Sequence, residues 1–530
     1  MSVDAAETRT KASRIINNTS LNLRSKHVAL WNFVLTNEIT RGTQFLNAQP
    51  GGQTYVVLGH NQEVIRCGAR GGERWHAYMN AMYGVPSFES FGRWCYESLR
   101  AHASQYGLKA ELRRFSAFDQ ATRTTYVSSY NGRMWKLDGD AGISEESIGE
   151  DGIFFADDDG GVACDVEIAN HGLLIDRLTN MNFTPMGLGG ATPEQQRMAF
   201  TVWMFALAFP DLMPTKPLLL IEGAPASGKT TAPTLLQFVL QGQKKPMQLQ
   251  RNKEDDFGVV LLHSSPIALF DNTDAYIDWV PDAVCAYATG AKWKRRKLYT
   301  DDESLEIRPH AFICVASKNP ASFRREDTAD RCIVLRLERR TSFRRPERLE
   351  QEILADRPTL LGEYLWYVNR IVAEMRSTAV EFAELDETHR MADFAMLARV
   401  IGRVIGWPED AVDGLMDAIT RERDAFINEE DPFMSLLTRW VDYRTNRGVA
   451  NRGRLMTLQE LNSDLLSLAQ AAQIDWKHTA RSLKQKLQSP HIEREVRVES
   501  CIIGNVRMYR LWRVEDPHIQ ILDGGSTETG

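Results

Sequence analysis

The chain has 530 residues, 43% hydrophobic, 25% charged and 9% aromatic, with a formal net charge of -7. Its length predicts three or four globular domains, and the negative balance excludes binding to nucleic acid through global charge, leaving only local patches for that role. No apolar run approaches the ~20 residues of a membrane span, the first residues carry no apolar leader, and the seven scattered cysteines lack a CxxC pair; these features predict reduced thiols in a cytoplasmic protein and exclude a zinc ribbon.

In chain order, residues 1–110 are predicted to be mostly helical: Phe88, Phe91, Trp94, Cys95 and Leu99 recur at helical spacing, and Gly107 supplies a stop. Residues 111–170 form a small β-rich segment, where "TTYVSSYNGRMWKLDG" places Asn131-Gly132 between two strand-like runs as a hairpin turn. An amphipathic helix spans Glu194 to Leu207. From Pro217 to about Leu337 short apolar strands alternate with helices, predicting an α/β core with a mostly parallel sheet within residues 171–345. The predicted strands are Leu218 to Ile221, Ile267 to Phe270, Phe312 to Ala316 and Ile333 to Leu337. Residues 346–430 are read as helical, 431–520 as two helices followed by a β-hairpin, and 521–530 as a disordered tail.

Within the α/β core, "LLLIEGAPASGKTT" is an apolar strand followed by G-x-x-x-x-G-K-T. Glycines let the backbone wrap close to phosphate so that amide groups and a helix N-terminus face the anion. The predicted nucleotide contacts are Gly223, Ala224, Pro225, Ala226, Ser227, Gly228, Lys229, Thr230 and Thr231. Lys229 would reach the outer phosphates of ATP, and the Thr230 hydroxyl would ligate Mg²⁺.

About 40 residues on, "IALFDNTD" ends a buried strand in Asp271, the predicted second metal residue; the alternative is a turn aspartate. Asn272 stands where a water-activating acid commonly follows. Asp274 could serve if the chain turns at Asn272-Thr273, Glu222 is a weaker candidate, and Asn272 itself could orient a water by hydrogen bonding. "FICVASKNP" ends in polar residues, of which Ser317 or Asn319 could meet the γ-phosphate or the attacking water, unless Asn-Pro marks a plain turn.

These parts in this order, followed by "FRREDTADRCIVLRL", resemble the AAA+ superfamily of P-loop ATPases. The run from Phe323 to Arg331 is similar to the arginine-finger segment of bacterial enhancer-binding activators. That resemblance implies that Arg325 and Arg331 reach a neighbouring subunit's γ-phosphate, Arg331 foremost; surface solvation is the alternative. Over about residues 125–410, "YNGRMWKLDG", "EDGIFF", "EGAPASGKTT", "ALFDN", "ATGAKWKRRKLYTDDES", "ADRCIVLRL" and "HRMADFA" look like the ATPase module of phage and mobile-element replication proteins. These are often fused to primases and allied to superfamily 3 helicases. The resemblance implies an AAA+ core with a helical lid, and in that family an Asp-Asn pair at the second motif is usual. Residues 1–180 carry no convincing primase metal motif.

Lys292, Lys294, Arg295, Arg296 and Lys297 precede an acidic turn, Asp301-Asp302-Glu303, in a predicted β-hairpin. Closely spaced cations contact successive phosphates without reading sequence, and Trp293 or Tyr299 could stack on a base. By resemblance this hairpin lines the pore of a hexameric ring and grips single-stranded DNA; a solvated charge run is the alternative. In the C-terminal segment, Thr457 and Glu460 make a capping box. The next helix exposes Arg481, Lys484 and Lys486, and Arg494, Arg497, Arg507 and Arg510 line the hairpin around Gly504-Asn505. This pattern looks like a winged helix on duplex DNA, or one that docks protein. Residues 431–520 carry 14 Lys and Arg against 10 Asp and Glu, a local positive excess in an acidic chain.

Together these features predict a ring-forming, hexameric, ATP- and Mg²⁺-dependent DNA helicase or translocase of phage or mobile-element replication. The alternatives are a nucleotide-switched scaffold, such as a helicase loader, and an ATPase of a defence or anti-defence system.

Overall fold

The computed structural model describes residues 3–49, 52–68, 72–156, 160–213, 215–251, 253–290, 293–296, 304–307, 310–342, 344–378, 391–429, 432–446, 455–472, 476, 478–504 and 506–514. They form two compact units, Met1–Ile419 and Thr420–Gly530. The predicted disordered tail lies outside the described residues. Among the described residues, no helix is long and apolar enough to cross a membrane.

The first unit begins with helices α1 (Val3–Ile16) and α2 (Leu23–Thr40), strands β1 (Gln44–Ala48), β2 (Gln53–Val57) and β3 (Val64–Cys67), helices α3 (Glu73–Tyr83) and α4 (Ser90–Tyr106), and strand β4 (Leu108–Ala110). Besides its four helices this region holds a four-stranded sheet of order β3-β2-β1-β4, which no local periodicity in the sequence predicts. Burial alternates weakly along β1 and not along β2, which is buried from Thr54 to Val57, and Gly52 at φ +63° turns the chain between them, so tertiary pairing sets the local structure here. α4 stops at Gly107, where an added Cβ would lie 2.2 Å from the Ala103 carbonyl oxygen. A buried carboxylate ties this region together. Glu38, 1% exposed, accepts from Thr43 Oγ1 at 2.7 Å, from the Tyr78 and Tyr83 hydroxyls at 2.6 Å each, and from Arg41 at 3.4 Å.

Next come β5 (Leu112–Arg113), then β6 (Ser116–Asp119), β7 (Thr124–Ser128), β8 (Arg133–Leu137) and β9 (Ile143–Ser147), the last four an antiparallel sheet in sequence order. The predicted hairpin is β7–β8. Its turn has Gly132 at φ +82°, and the Asn131 side chain accepts from Ser129 Oγ and the Arg133 amide. β10 (Phe154–Phe155) pairs with β5.

Helices α5 (Leu174–Leu178) and α6 (Pro193–Ala206) precede the central sheet. Its members are β11 (Leu218–Gly223), β12 (Pro246–Met247), β13 (Ile267–Asp271), β16 (Phe312–Ser317) and β17 (Cys332–Leu337), with α7 (Thr231–Gln241), α8 (Glu254–Leu262), α9 (Val280–Ala288), a small sheet of β14 (Trp293–Arg296) and β15 (Ser304–Ile307), and α10 (Glu326–Ala329) between them. The order is β12-β13-β16-β11-β17 and every pairing is parallel. The chain is thus a mixed α/β fold. The four predicted strands are present; the two-residue edge strand β12 is too short to carry a periodicity. These strands are buried on both faces, as parallel strands covered by helices are.

Helix α11 (Pro346–Ser377) packs across α7, and α12 (Ala392–Ile405) across α11. Arg357 of α11 is 4% exposed and donates to the Val239 and Val162 carbonyls at 3.1 and 2.7 Å. A cation there meets the negative end of α7, opposite the loop that starts that helix. Asn369 exchanges two hydrogen bonds with the Gly139 backbone, which fixes α11 against the β6–β9 sheet.

Helix α13 (Glu409–Asn428) runs through the division between the units. The second unit contains α14 (Pro432–Asn446), α15 (Leu458–Ala471), α16 (Ala480–Leu487), α17 (Pro490–Glu495) and the antiparallel hairpin β18 (Val496–Ile503) and β19 (Val506–Arg513). The capping box at Thr457 and Glu460 is present, and Met456 bridges Tyr509. Leu461, Leu465, Leu483, Leu487, Ile492 and Leu511 share one core with Phe433 and Trp440.

Replacing Glu38 by Leu leaves two buried phenols and a half-buried guanidinium without their shared acceptor, a loss of about 3–5 kcal/mol. Limited proteolysis should then cut within residues 1–110 well before the rest of the chain; an unchanged cleavage pattern would refute this role.

Candidate functional site

The buried strand β11 delivers Gly223 to the edge of the sheet, and the chain turns through residues 224–228 into α7. Glycine is required at 223, where a Cβ would stand 2.6 Å from Ser227 Oγ and 2.8 Å from the Leu337 carbonyl oxygen. Ala226 and Gly228 take φ +66° and +88°. Ser227 is buried, whereas Ala224, Pro225 and Ala226 are exposed. Thr231 opens the helix, and its amide donates to the Gly228 carbonyl at 3.0 Å.

Thr230 occupies the N-cap of α7 without capping it. Its hydroxyl instead donates to Asp271 Oδ1 at 2.9 Å, across the intervening strand β16. Lys229 makes no hydrogen bond or ion pair among the described residues, although its charge is felt at Asp274. A hydroxyl and a carboxylate converging beside this loop are hard oxygen donors of the kind that Mg²⁺ accepts. Thr230 and Asp271 are therefore the residues that would hold such an ion.

The turn after Asp271 has a physical cause. Asn272 sits at φ +55°, a left-handed conformation that asparagine tolerates better than most residues. Its amide donates to Asp271 Oδ1 and to the Ala316 carbonyl, at 3.0 Å each. The chain consequently doubles back, and Asp274 reaches the tip of β16. There Asp274 Oδ1 accepts from Ser317 Oγ at 2.6 Å and from the Lys318 and Asn319 amides at 2.9 and 3.3 Å. Burial alone would push this carboxyl up. The three hydrogen bonds and the charge of Lys229 outweigh it and hold the group below its ordinary value. A carboxylate held so acidic orients a water more readily than it removes a proton, because base strength falls with pKa.

Glu222 is already committed. It accepts from Arg336 at 3.0 Å and lies 3.9 Å from Arg324, and Arg324 donates to Asn319 Oδ1 at 3.3 Å. Sequence reasoning missed Arg324 and Arg336. Their signal was the register of β11 on β17, which sets Glu222 opposite Arg336 and needs the sheet order to be seen.

Arg325 and Arg331 are not brought to the loop of their own chain. Arg325 pairs with Asp282 and Asp327, at 2.6 Å each, and Arg331 donates to the Asp327 carbonyl. The Arg331 carbonyl accepts from the Leu218 amide at the start of β11, so on the order of 16 Å of strand separates that residue from Gly223.

β14 and β15 form the predicted antiparallel hairpin, with Lys294 opposite Glu306, Arg295 opposite Leu305 and Arg296 opposite Ser304. Lys292 and Lys297 lie outside the described residues. At its root, His310 bonds Glu111 at 3.1 Å, and Arg113 pairs with Asp211 at 2.6 Å. In the second unit Arg481, Lys484 and Arg507 are exposed, while Lys486 lies 4.7 Å over the ring of Phe433.

Residues 186–408 match a family model described as an actinomycete integrative conjugative element replication protein. No curated protein matches the chain. Among solved structures, the C-terminal region of NrS-1 in its apo A form is 9% identical with a TM-score of 0.43, covering 91% of this chain and 98% of that one. The SCCmec type IV Cch active helicase is 12% identical with a TM-score of 0.43, covering 89% of this chain and 92% of that one.

Asp274→Ala removes the acceptor of two amides, so hydrogen exchange at Lys318 and Asn319 should accelerate about tenfold. The carboxyl is lowered in the folded chain, so its contribution is complete above the unfolded value near pH 4 and fades as pH falls through the lower folded value. The gap in melting temperature between the two chains should therefore narrow below about pH 4; a gap independent of pH would sink this account.

Proposed function

We propose that the chain is an ATP-hydrolysing motor of mobile-element DNA replication, working as a ring of AAA+ type on DNA. One observation carries the reading: the Thr230 hydroxyl and Asp271 carboxylate meet beside Lys229, at the mouth of a glycine-bearing loop between a buried strand and a helix. The parallel order, with β16 between β11 and β13, supports a P-loop core, and α11 to α13 would form its helical lid. The family match over residues 186–408 supports the biological setting.

In this reading the loop amides, Lys229 and Thr231 bind the phosphates. Thr230 and Asp271 hold the metal ion, Asp274 and Asn319 orient the attacking water, and Arg331 with Arg325 completes the site of the next subunit, most economically in a hexamer. The β14–β15 hairpin would track single-stranded DNA by its cations. The α15, α16 and β18–β19 arrangement would act as a winged helix on duplex DNA through Arg481, Lys484 and Arg507. Lys486, drawn over Phe433, would contribute less.

A second reading has its own support. Among the described residues, the carboxylates beside Asp271 are Asp274, held acidic, and Glu222, held by arginines, which favours slow hydrolysis and a nucleotide-switched scaffold or loader.

The test is ATP turnover by the full chain with and without single-stranded DNA. Lys229→Ala should lower DNA-stimulated turnover about a hundredfold. Tight ATP binding by the parent chain with negligible phosphate release would select the scaffold instead. Reversing charge at Arg295 and Arg296 should weaken single-strand binding and flatten its salt dependence, the slope falling by about 0.7 for each phosphate no longer neutralised. Unaltered binding would remove the hairpin from the DNA path.

A further inference from the structure

We propose that Arg340 is a second cation of the nucleotide site, gripping an inner phosphate from the side of the loop opposite Thr230 and Asp271. The proposal rests on the nucleotide reading of that loop.

The chain beyond β17 folds back over the loop. The Arg340 amide donates to the Ala226 carbonyl at 3.2 Å, the Glu338 amide to the Asn182 carbonyl at 2.8 Å, and the Thr184 amide to the Arg336 carbonyl at 3.0 Å. Asn182 Nδ2 donates in turn to the Glu338 and Arg339 carbonyls at 3.3 and 3.2 Å. Residues 182–184 and 336–340 thus form an antiparallel strap whose end is fastened to the phosphate loop itself.

This strap aims the Arg340 side chain. Nη2 donates to the Asn180 carbonyl, and Nε stands 3.5 Å from where a Cβ on Gly228 would project. The guanidinium lies against the loop one residue before Lys229, and among the described residues no carboxylate pairs with it. Nε and Nη1 have no hydrogen-bond partner there either. A half-buried guanidinium anchored by one nitrogen and turned towards an anion-binding loop is arranged to donate a fork of hydrogen bonds to a phosphate.

Topology says which phosphate. β16 flanks β11 on one side and carries the Ser317–Asn319 tip, with Asp271 beyond it on β13. β17, which leads to Arg340, flanks β11 on the other side. A phosphate chain lying in the loop with its terminal group towards Asp271 therefore passes Arg340 with its inner phosphates. Those are common to ATP and ADP. Loss of Arg340 should weaken both nucleotides alike, which a defect at the terminal-phosphate end would not do.

The experiment uses the full chain with Arg340→Gln, which can still donate to the Asn180 carbonyl, and Arg340→Lys, which keeps the charge. Titration with fluorescent ATP and ADP analogues should show affinity for both falling about tenfold in Arg340→Gln, with their ratio unchanged and partial recovery in Arg340→Lys. Affinities within about twofold of the parent, or a loss confined to ATP, would overturn the assignment. In the unaltered chain, ADP should shield Arg340 from phenylglyoxal as read by mass spectrometry. Failure of that shielding overturns the proposal even if Arg340→Gln folds poorly. A parent chain that binds neither analogue overturns the nucleotide reading and this one together, whereas normal parental binding with an unaffected variant removes Arg340 alone.

Discussion

The site depends on the register of the parallel sheet. Because β11, β16 and β13 run the same way, with Glu222 opposite Ser317 and Asp271 opposite Ala316, their polar ends emerge at one edge. Only then can the Thr230 hydroxyl cross β16 and meet Asp271. Ligand groups in open parallel sheets gather at the carboxyl ends of strands for this reason. The buried supports serve the same geometry. Arg357 sits at the far end of α7 and the Gly139–Asn369 pairing holds α11, so the helix that starts at the loop is fixed at both ends.

Asn272 takes its meaning from that edge. A carboxylate there would stand next to Asp271 and add a like charge beside it. The asparagine instead supplies a left-handed turn, and the turn delivers Asp274 to the β16 tip. The acid is thus carried three residues along the chain and held at the tip of another strand. Its anchoring oxygen, bonded by Ser317, Lys318 and Asn319, binds two loops together at the carboxyl ends of β13 and β16.

Much of this was legible from residues alone. Strands at 218, 267, 312 and 333 follow from uninterrupted apolar runs between turn residues, and the loop follows from its glycines and lysine. The reach of Asp274 depended on a turn that Asn272-Thr273 merely permitted. What escaped was long-range. The sheet of residues 44–67 and 108–110 needed pairing between segments some 60 residues apart. The Glu222–Arg336 and Glu222–Arg324 pairs needed the strand order, and the strap that carries Arg340 needed residues 180–184 to find the end of β17. Sequence spacing reports local periodicity well and says nothing about which strand edges meet.

The two arginines beside β17 divide by their charge environment. Arg325 is clasped by Asp282 and Asp327, and those carboxylates hold its charge strongly enough to raise its pKa further. A neighbouring phosphate would have to displace two acids to recruit it. Arg331 is bound only through a backbone carbonyl and a weak interaction with the Cys285 sulfur, with no carboxylate partner among the described residues. In the proposed ring, a second subunit's phosphates would be the anion that Arg331 meets. Arg331 would therefore be the better finger there, since Arg325 is already held by two carboxylates.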